Sequence, residues 1–332
     1  MVLITGATGL VGSYLAIYLL ENNENVRAIY RTPNSIEKTK TIFKNQNKIH
    51  LFDKINWILA DINDISALEI AFKGIENVYH CAALISFDPK DEEKLRKINI
   101  EGTANIVNFC LANNVKKLCH VSSIAALGDL QSHQKTIDEN TDWNPEKTHS
   151  DYAISKYGAE IEVFRAHQEG LDVVIVNPGV ILGVGCDYSG SNAIFKKVKN
   201  GLKFYTKGTT GFVSVNDVVK IMHLLSKSNI NGEKFVLVSE NISYKKLLFS
   251  IANALNVTKP KYKISKTIIN IAWRLDWIWS NLFFQKRNLS RDSAQSLFSK
   301  DVYDNLKIKK TLNYEFEKID LVIDKIVKIN PN

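Results

Sequence analysis

Along the first 180 residues, short β-branched and apolar runs alternate with stretches in which apolar positions recur every three or four residues. The runs Val2–Thr5, Val26–Tyr30, 55–59, 77–81, 117–122 and 173–176 predict strands, and the stretches near 11–22, 65–73, 92–113 and 151–169 predict helices. Strands that alternate with helices predict a parallel sheet with right-handed crossovers and helices on both faces, a doubly wound α/β architecture. After Pro178 the rhythm loosens into glycine-spaced segments and a helix-rich tail. The pattern therefore predicts a large α/β domain over 1–178. A smaller, partly discontinuous C-terminal lobe follows over 179–332, from which a segment of about 211–240 returns to the first domain's core.

Composition narrows the class of protein. Of 332 residues, 45% are hydrophobic and 23% charged, which is the balance of an ordinary soluble globular chain. Four cysteines, Cys81, Cys110, Cys119 and Cys186, contain no C-x-x-C pair, which fits a reduced compartment better than a disulfide framework or a zinc site. The chain opens on Met1-Val2-Leu3-Ile4-Thr5 without a basic leader or apolar signal core, so a cytoplasmic location is expected. The net charge is +8, but the 43 basic residues include only seven arginines, and recognition of nucleic-acid phosphates and bases draws on arginine's planar fork. The excess reads as lysine bias on a solvated surface, with no nucleic-acid partner. The apolar stretch 268–284 carries Arg274 and Asp276 at its middle and is too short and polar to span a bilayer. No stable membrane insertion is expected; an amphipathic helix over a pocket is the first reading of that stretch, and contact with a membrane surface the second.

The first strand runs into Thr5-Gly6-Ala7-Thr8-Gly9-Leu10-Val11-Gly12, with an apolar helical run directly behind. Glycines at this strand-to-helix turn permit a tight bend and close backbone approach, and the helix N-terminus favours a pyrophosphate, so the fold class becomes a Rossmann dinucleotide-binding domain. An NAD site would place an acid about 20 residues on, after the second strand. Here Tyr30-Arg31-Thr32 stands instead, with Lys38 seven residues later. Two cations suit a 2′-phosphate, so NADP (NADPH) is the expected cofactor, ahead of NAD.

Tyr152 and Lys156 lie four apart in Asp151-Tyr152-Ala153-Ile154-Ser155-Lys156, and so share one face of a helix. An unperturbed phenol titrates near 10. A neighbouring ammonium, with the positive ring of an oxidised nicotinamide, is expected to lower that value and let Tyr152 exchange a proton with a carbonyl or alcohol. A strand ending in Ser122-Ser123 precedes the pair. Its carboxyl end faces the ligand crevice of an open parallel sheet, where Ser123 could hydrogen-bond a substrate oxygen.

Taken in order, these motifs resemble the extended short-chain dehydrogenase/reductase family, the NAD-dependent epimerase/dehydratase superfamily. The likeness covers nearly the whole chain: the glycine loop, Asp61-Ile62, His80-Cys81-Ala82-Ala83, Asn99-Ile100-Glu101-Gly102-Thr103, the serine strand, Tyr152 to Lys156, Asn177-Pro178-Gly179, and Phe212 to Val218. The resemblance implies that Asp61 and Ile62 contact the adenine, that Ala82, Ala83, Ser122, Asn177 and Gly179 line the cofactor site, and that Pro178 borders the nicotinamide amide. It implies that Lys156 also bonds the nicotinamide ribose and that Asn99 supports a proton relay. Arg31 and Lys38 look like the 2′-phosphate clamp of the dihydroflavonol reductase branch. Relatives often dimerise through helices that here span 92–113 and 151–169, so a homodimer is the implied assembly. The chain departs from the pattern at Leu127, often Tyr, and in Val180 to Gly185, which lacks the usual Tyr-Gly-Pro turn.

Dehydratases of this family carry an Asp-Glu pair beside the Ser123 position, where this chain has Ile124 and Ala125. No arginine occurs between Arg165 and Arg274 to hold a sugar-nucleotide diphosphate, although Lys196, Lys197, Lys199 and Lys203 could serve. The expected activity is an NADPH-dependent oxidoreductase that interconverts a carbonyl and a secondary alcohol on a small or medium apolar molecule. Two alternatives stay open: a nucleotide-sugar epimerase with tightly bound NAD, and a non-catalytic NADP-binding sensor or scaffold. Trp273, Trp277, Trp279, Phe283 and Phe284 concentrate aromatic area in the tail, either to line the substrate pocket or to pack the core.

Overall fold

A computed structural model describes residues 1–131, 134–185, 192–282 and 290–329. In its first half β1 (Val2–Thr5), α1 (Leu10–Glu21), β2 (Val26–Tyr30), α2 (Pro33–Asn45), β3 (Asn56–Leu59), α3 (Ile65–Ala71) and β4 (Asn77–His80) follow in turn. Then α4 (Glu92–Leu95) continues through a π-helical stretch, Arg96–Glu101, into α5 (Gly102–Ala112), which leads to β5 (Lys117–Val121), α6 (Asp151–Gln168) and β6 (Asp172–Pro178). The second half holds β7 (Val180–Leu182), α7 (Ala193–Lys199), β8 (Phe204–Tyr205), β9 (Thr209–Ser214), α8 (Val215–Lys227), β10 (Glu233–Leu237) and β11 (Glu240–Ser243). It ends with α9 (Tyr244–Ala254), β12 (Tyr262–Lys263), α10 (Lys266–Leu282), α11 (Arg291–Ser296), α12 (Leu306–Leu312) and α13 (Ile319–Ile329).

Seven parallel strands form the main sheet in the order β10-β6-β5-β4-β1-β2-β3. The run Val173-Val174-Ile175-Val176 shows why the strands read as continuous apolar segments. Val173 and Ile175 pack with Leu68, Ile106 and Val163 of α3, α5 and α6, while Val174 and Val176 pack with Leu15, Val218 and Met222 of α1 and α8. Successive side chains leave a strand on opposite faces, so a sheet covered on both sides needs apolar residues at every position. The chain proceeds outward from β1 through β2 to β3, then returns to β4 on the other side of β1. That reversal leaves a crevice at the carboxyl ends of β1 and β4, where ligands of open α/β sheets bind.

The rest of the second half surrounds a smaller sheet in which β9 pairs with β7 in parallel and with β11 antiparallel, and a two-stranded pair, β8 with β12. Leu182, Phe195, Phe212, Leu247, Ile251 and Ile323 form its core. β10 lies beside β6 as the outermost strand of the main sheet. One local expectation needs correction: the helix expected over 92–113 contains the π-helical stretch around Asn99. Lys38 lies in α2, which is thirteen residues long and begun by Pro33 in its first turn. Among the described residues, no helix is long and apolar enough to cross a membrane, and no cluster of His, Cys, Asp and Glu could hold a metal. Cys186, Phe283, Phe284 and the side chains of Trp277 and Trp279 lie outside the described residues.

Candidate active site

The glycine loop lies where the chain reversal opens the crevice. A side chain on Gly12 would put its Cβ 2.3 Å from the Gly6 carbonyl oxygen, and one on Gly6, whose φ is +68°, would strike the backbone of Cys81 and Ala82 at 2.6 Å. Both positions admit only glycine, because rigid main chain sits in the space a Cβ would take. The resulting cradle opens into a cavity of about 580 Å³ whose walls include Gly6, Thr8, Gly9, Arg31, Asp61 and Ala82. Ile62, Ala83 and Ser35 also line it. The N-terminus of α1 follows Gly9, so the unpaired amides of the first helical turn face this space. Arg31 is exposed and takes part in no ion pair among the described residues, while Lys38 is exposed one turn beyond Ser35 and is not in the cavity wall.

Tyr152 and Lys156 emerge from the first two turns of α6, whose N-terminus Ser150 caps by accepting the Ala153 amide. Both are buried. Ser123, just beyond β5, accepts the amide of Ala125 at 3.1 Å, which leaves its hydroxyl proton available to the neighbouring Tyr152 phenol. The Lys156 ammonium donates to the Val121 carbonyl at 2.9 Å and lies 3.5 Å from Nε2 of His120. Burial, with the charge it strips of water, brings Lys156 down to about 8, opposed by the carboxylate of Glu160. Tyr152 departs from expectation. Burial pushes its phenol above the ordinary value, and the opposing influence is Ser123, not Lys156. Desolvation of a phenolate outweighs one hydrogen bond, so the protein alone keeps Tyr152 protonated.

Behind these three side chains lies a polar chain whose protons can be assigned. The Ala82 amide donates to Thr5 Oγ1, which lies 2.6 Å from Nδ1 of His80; Nε2 of His80 lies 2.9 Å from Thr103 Oγ1, which donates to the Asn99 carbonyl at 2.6 Å. Thr103 spends its proton on Asn99, so it must accept from His80, which makes the ring a neutral Nε2–H tautomer. Burial agrees, taking His80 down to about 3 and His120, whose ring is tilted beside it at 5.1 Å, well below its usual value. The Asn99 side chain is fully used: its Oδ1 accepts the Leu84 amide at 2.7 Å, and its Nδ2 donates to the Leu84 carbonyl and to Ser155, both at 2.9 Å. It pins the 81–88 loop to α6.

Glu160 lies one turn beyond Lys156 and is buried on the same helix. It accepts the Ser122 hydroxyl and the Asn177 amide, each at 2.5 Å, with Lys234 at 3.7 Å. Asn177 also donates to the Ser123 carbonyl at 3.0 Å. Glu160 and Asn177 thus tie α6 to the end of β5 and fix the spacing between Ser123 and Tyr152. Ser122 is held inside by that bond, while Pro178 ends β6 and Gly179 lies against the Gly211 carbonyl. Leu10, Val11 and Gly12 open α1.

The structure therefore brings Ser123, Tyr152 and Lys156 together and gathers Gly6, Thr8, Gly9, Arg31, Asp61, Ile62, Ala82 and Ala83 around one cavity. Glu160, His80 and Phe87 were missed as functional residues. The repeat of four through Tyr152, Lys156 and Glu160 was a visible signal for the first. Phe87 lies edge-on to Tyr152, ring centroids 5.5 Å apart, yet is 46% exposed, and no sequence period marks it.

Residues 2–237 match the NAD dependent epimerase/dehydratase family. The chain belongs to that family. Within it, this epimerase/dehydratase-family chain is 29% identical over 279 residues to a putative dihydroflavonol 4-reductase of Synechocystis sp., covering 81% of this chain and 77% of that protein. It is 25% identical to cinnamoyl-CoA reductase 1 of Petunia hybrida over 283 residues, covering 79% of this chain and 83% of that one. The fold is also that of UDP-glucose 4-epimerase from Thermotoga maritima, with a TM-score of 0.77 at 19% identity over 99% of this chain and 98% of the other. The family and its reductase-named relatives make the chain an NAD(P)-dependent oxidoreductase of the extended short-chain dehydrogenase/reductase type.

Proposed function

We propose that this protein is an NADPH-dependent reductase that interconverts a carbonyl and a secondary alcohol on a small or medium apolar molecule. The convergence of Ser123 on the Tyr152 phenol, with Lys156 one helical turn away, carries the reading. The cradle fits the cofactor: the glycine loop and the start of α1 would hold the pyrophosphate, Asp61 and Ile62 the adenine, and Arg31, unpaired at the cavity wall, the 2′-phosphate. Bound there, the nicotinamide supplies the hydride. Ser123 would position the carbonyl oxygen, and Tyr152, kept protonated by burial, would donate a proton to that oxygen as charge develops. Lys156, charged below about pH 8, would bond the ribose of the bound nicotinamide. The half-exposed Phe87 presents apolar surface beside Tyr152, which supports an apolar substrate. The reductase-named relatives support the same class of reaction.

A panel of secondary alcohols offered with NADP, together with dissociation constants for NADPH and NADH, tests the proposal. The expected result is turnover with release of NADPH, tighter binding of NADPH than of NADH, and a loss of about tenfold or more in NADPH affinity alone on Arg31→Ala, the loss of one charge-assisted contact. Equal or weaker NADPH binding ends the cofactor assignment. Interconversion of a nucleotide sugar by protein that retains NAD would replace the reductase reading with the epimerase one.

A further inference from the structure

The basic residues are not evenly distributed in the fold. Residues 193–208 and 241–275 hold eleven lysines and one arginine without a single Asp or Glu, which leaves 31 basic residues against 35 acidic ones in the rest of the chain. The protein's positive charge therefore belongs entirely to these two segments. The fold joins them. The amides of Lys261 and Tyr262 both donate to the Lys203 carbonyl at 2.9 Å, and Ile264 donates to Tyr205 at 3.0 Å, so 203–205 and 261–264 run side by side. Lys203, Lys207, Lys259, Lys261, Lys263 and Lys266 are all exposed, and none is in an ion pair among the described residues. Such crowding of like charge costs stability through self-repulsion, which an anionic partner would relieve.

Apolar side chains project among these amines. Phe204 and Tyr262, paired across β8 and β12 with rings 5.9 Å apart, are 48% and 59% exposed. Two residues beyond β12 begins α10, and on it Ile268 and Ile271, three apart and hence on one face, are 56% and 53% exposed. We propose that this face of the C-terminal lobe docks on an anionic lipid bilayer, the lysines against lipid phosphates and carboxylates and the isoleucines and aromatic rings at the headgroup boundary. Lysine amines act as point charges that suit a diffuse anionic surface, whereas nucleic-acid recognition draws on arginine's bidentate fork. Exposed aliphatic residues on the helix that directly follows β12 suit an interface with an apolar interior and have no counterpart along a phosphate backbone. No element spans; α10 lies on the surface, in keeping with the absence of a spanning helix among the described residues.

Co-sedimentation of the full chain with vesicles tests this. On phosphatidylcholine containing about a third of phosphatidylserine, at about 0.1 M salt, the protein should partition at least about tenfold more strongly than on phosphatidylcholine alone, since each lysine near such a surface is worth about a fivefold factor. Raising the salt to about 0.5 M should release it, because screening shortens the reach of each charge. Lys261→Glu, Lys263→Glu and Lys266→Glu together should reduce binding to the phosphatidylcholine level. Ile268→Ser with Ile271→Ser should weaken it severalfold at unchanged charge, with melting temperatures of both variants near the parent's. Equal binding to both vesicles, salt-insensitive binding, or a folded triple variant that still sediments would overturn the proposal. So would displacement from the vesicles by a single-stranded oligonucleotide, which would assign the face to nucleic acid.

Discussion

At Gly12 and Ser123 the proposed chemistry turns on single atoms. A methyl on Gly12 would overlap the Gly6 carbonyl oxygen at 2.3 Å and the Ala7 Cα at 2.7 Å, and neither is the end of a flexible side chain that could turn away. Gly12→Ala should therefore displace the loop. We expect a destabilisation of about 1–3 kcal/mol, typical of overpacking, with NADPH affinity lost well beyond that seen for surface substitutions. Thermal melting and a fluorescence titration of NADPH would measure both. Ser123→Ala removes the hydroxyl beside the Tyr152 phenol, and kcat should fall by about 10²–10³-fold, as for loss of one preorganised donor. Both residues were legible in the sequence, since the glycine spacing and the strand-end serine each place a chemical demand at one position. The proton assignment through Thr5, His80, Thr103 and Asn99 was not legible, because it joins residues from β1, β4 and α5 that only the folded sheet makes neighbours.

Helix α6 combines chemistry with support at a period of four. Glu160 holds Lys156 up against the effect of burial, so Glu160→Gln should lower the pH at which Lys156 loses its proton. In the parent, the rate of carbonyl reduction should decline as pH rises through about 8, where Lys156 becomes neutral. In Glu160→Gln that decline should start at lower pH, while a merely structural role would scale the whole profile and leave its midpoint in place. A pH series of kcat/KM separates the two. The buried histidines of β4 and β5 set a second pH dependence. His80 titrates at about 3 in the fold against about 6.5 when unfolded, and His120 is shifted in the same direction. Below the unfolded value the unfolded chain binds protons that the fold refuses, so stability present above pH 6.5 is lost as pH falls toward 3. The loss should be about 1.4 kcal/mol per pH unit for each ring. Urea midpoints recorded between pH 7 and 5 would show the decline, and a flat profile would mean that the rings accept protons inside the fold.

Across the whole molecule, the main sheet was readable because it is covered on both faces, which forces apolar residues at every strand position, as at Val173 to Val176. The smaller sheet was not. β7 and β11 are three and four residues long, and β8 and β12 two each, too short to show a period, and they pair with partners distant in sequence. For the same reason the lysine excess read as a bias of the whole surface until β8 and β12 brought two acid-free segments together. The central claim is that one fold places a buried phenol, an ammonium and a hydroxyl at the crevice of a dinucleotide cradle, and that the phenol moves the proton. Its most direct test compares Tyr152→Phe with the parent in carbonyl reduction at saturating NADPH, alongside the NADPH dissociation constant. Tyr152→Phe should lose about 10²–10⁴-fold in kcat with cofactor binding nearly unchanged, the range of a removed general acid. Reduction by Tyr152→Phe within a few-fold of the parent rate would contradict it.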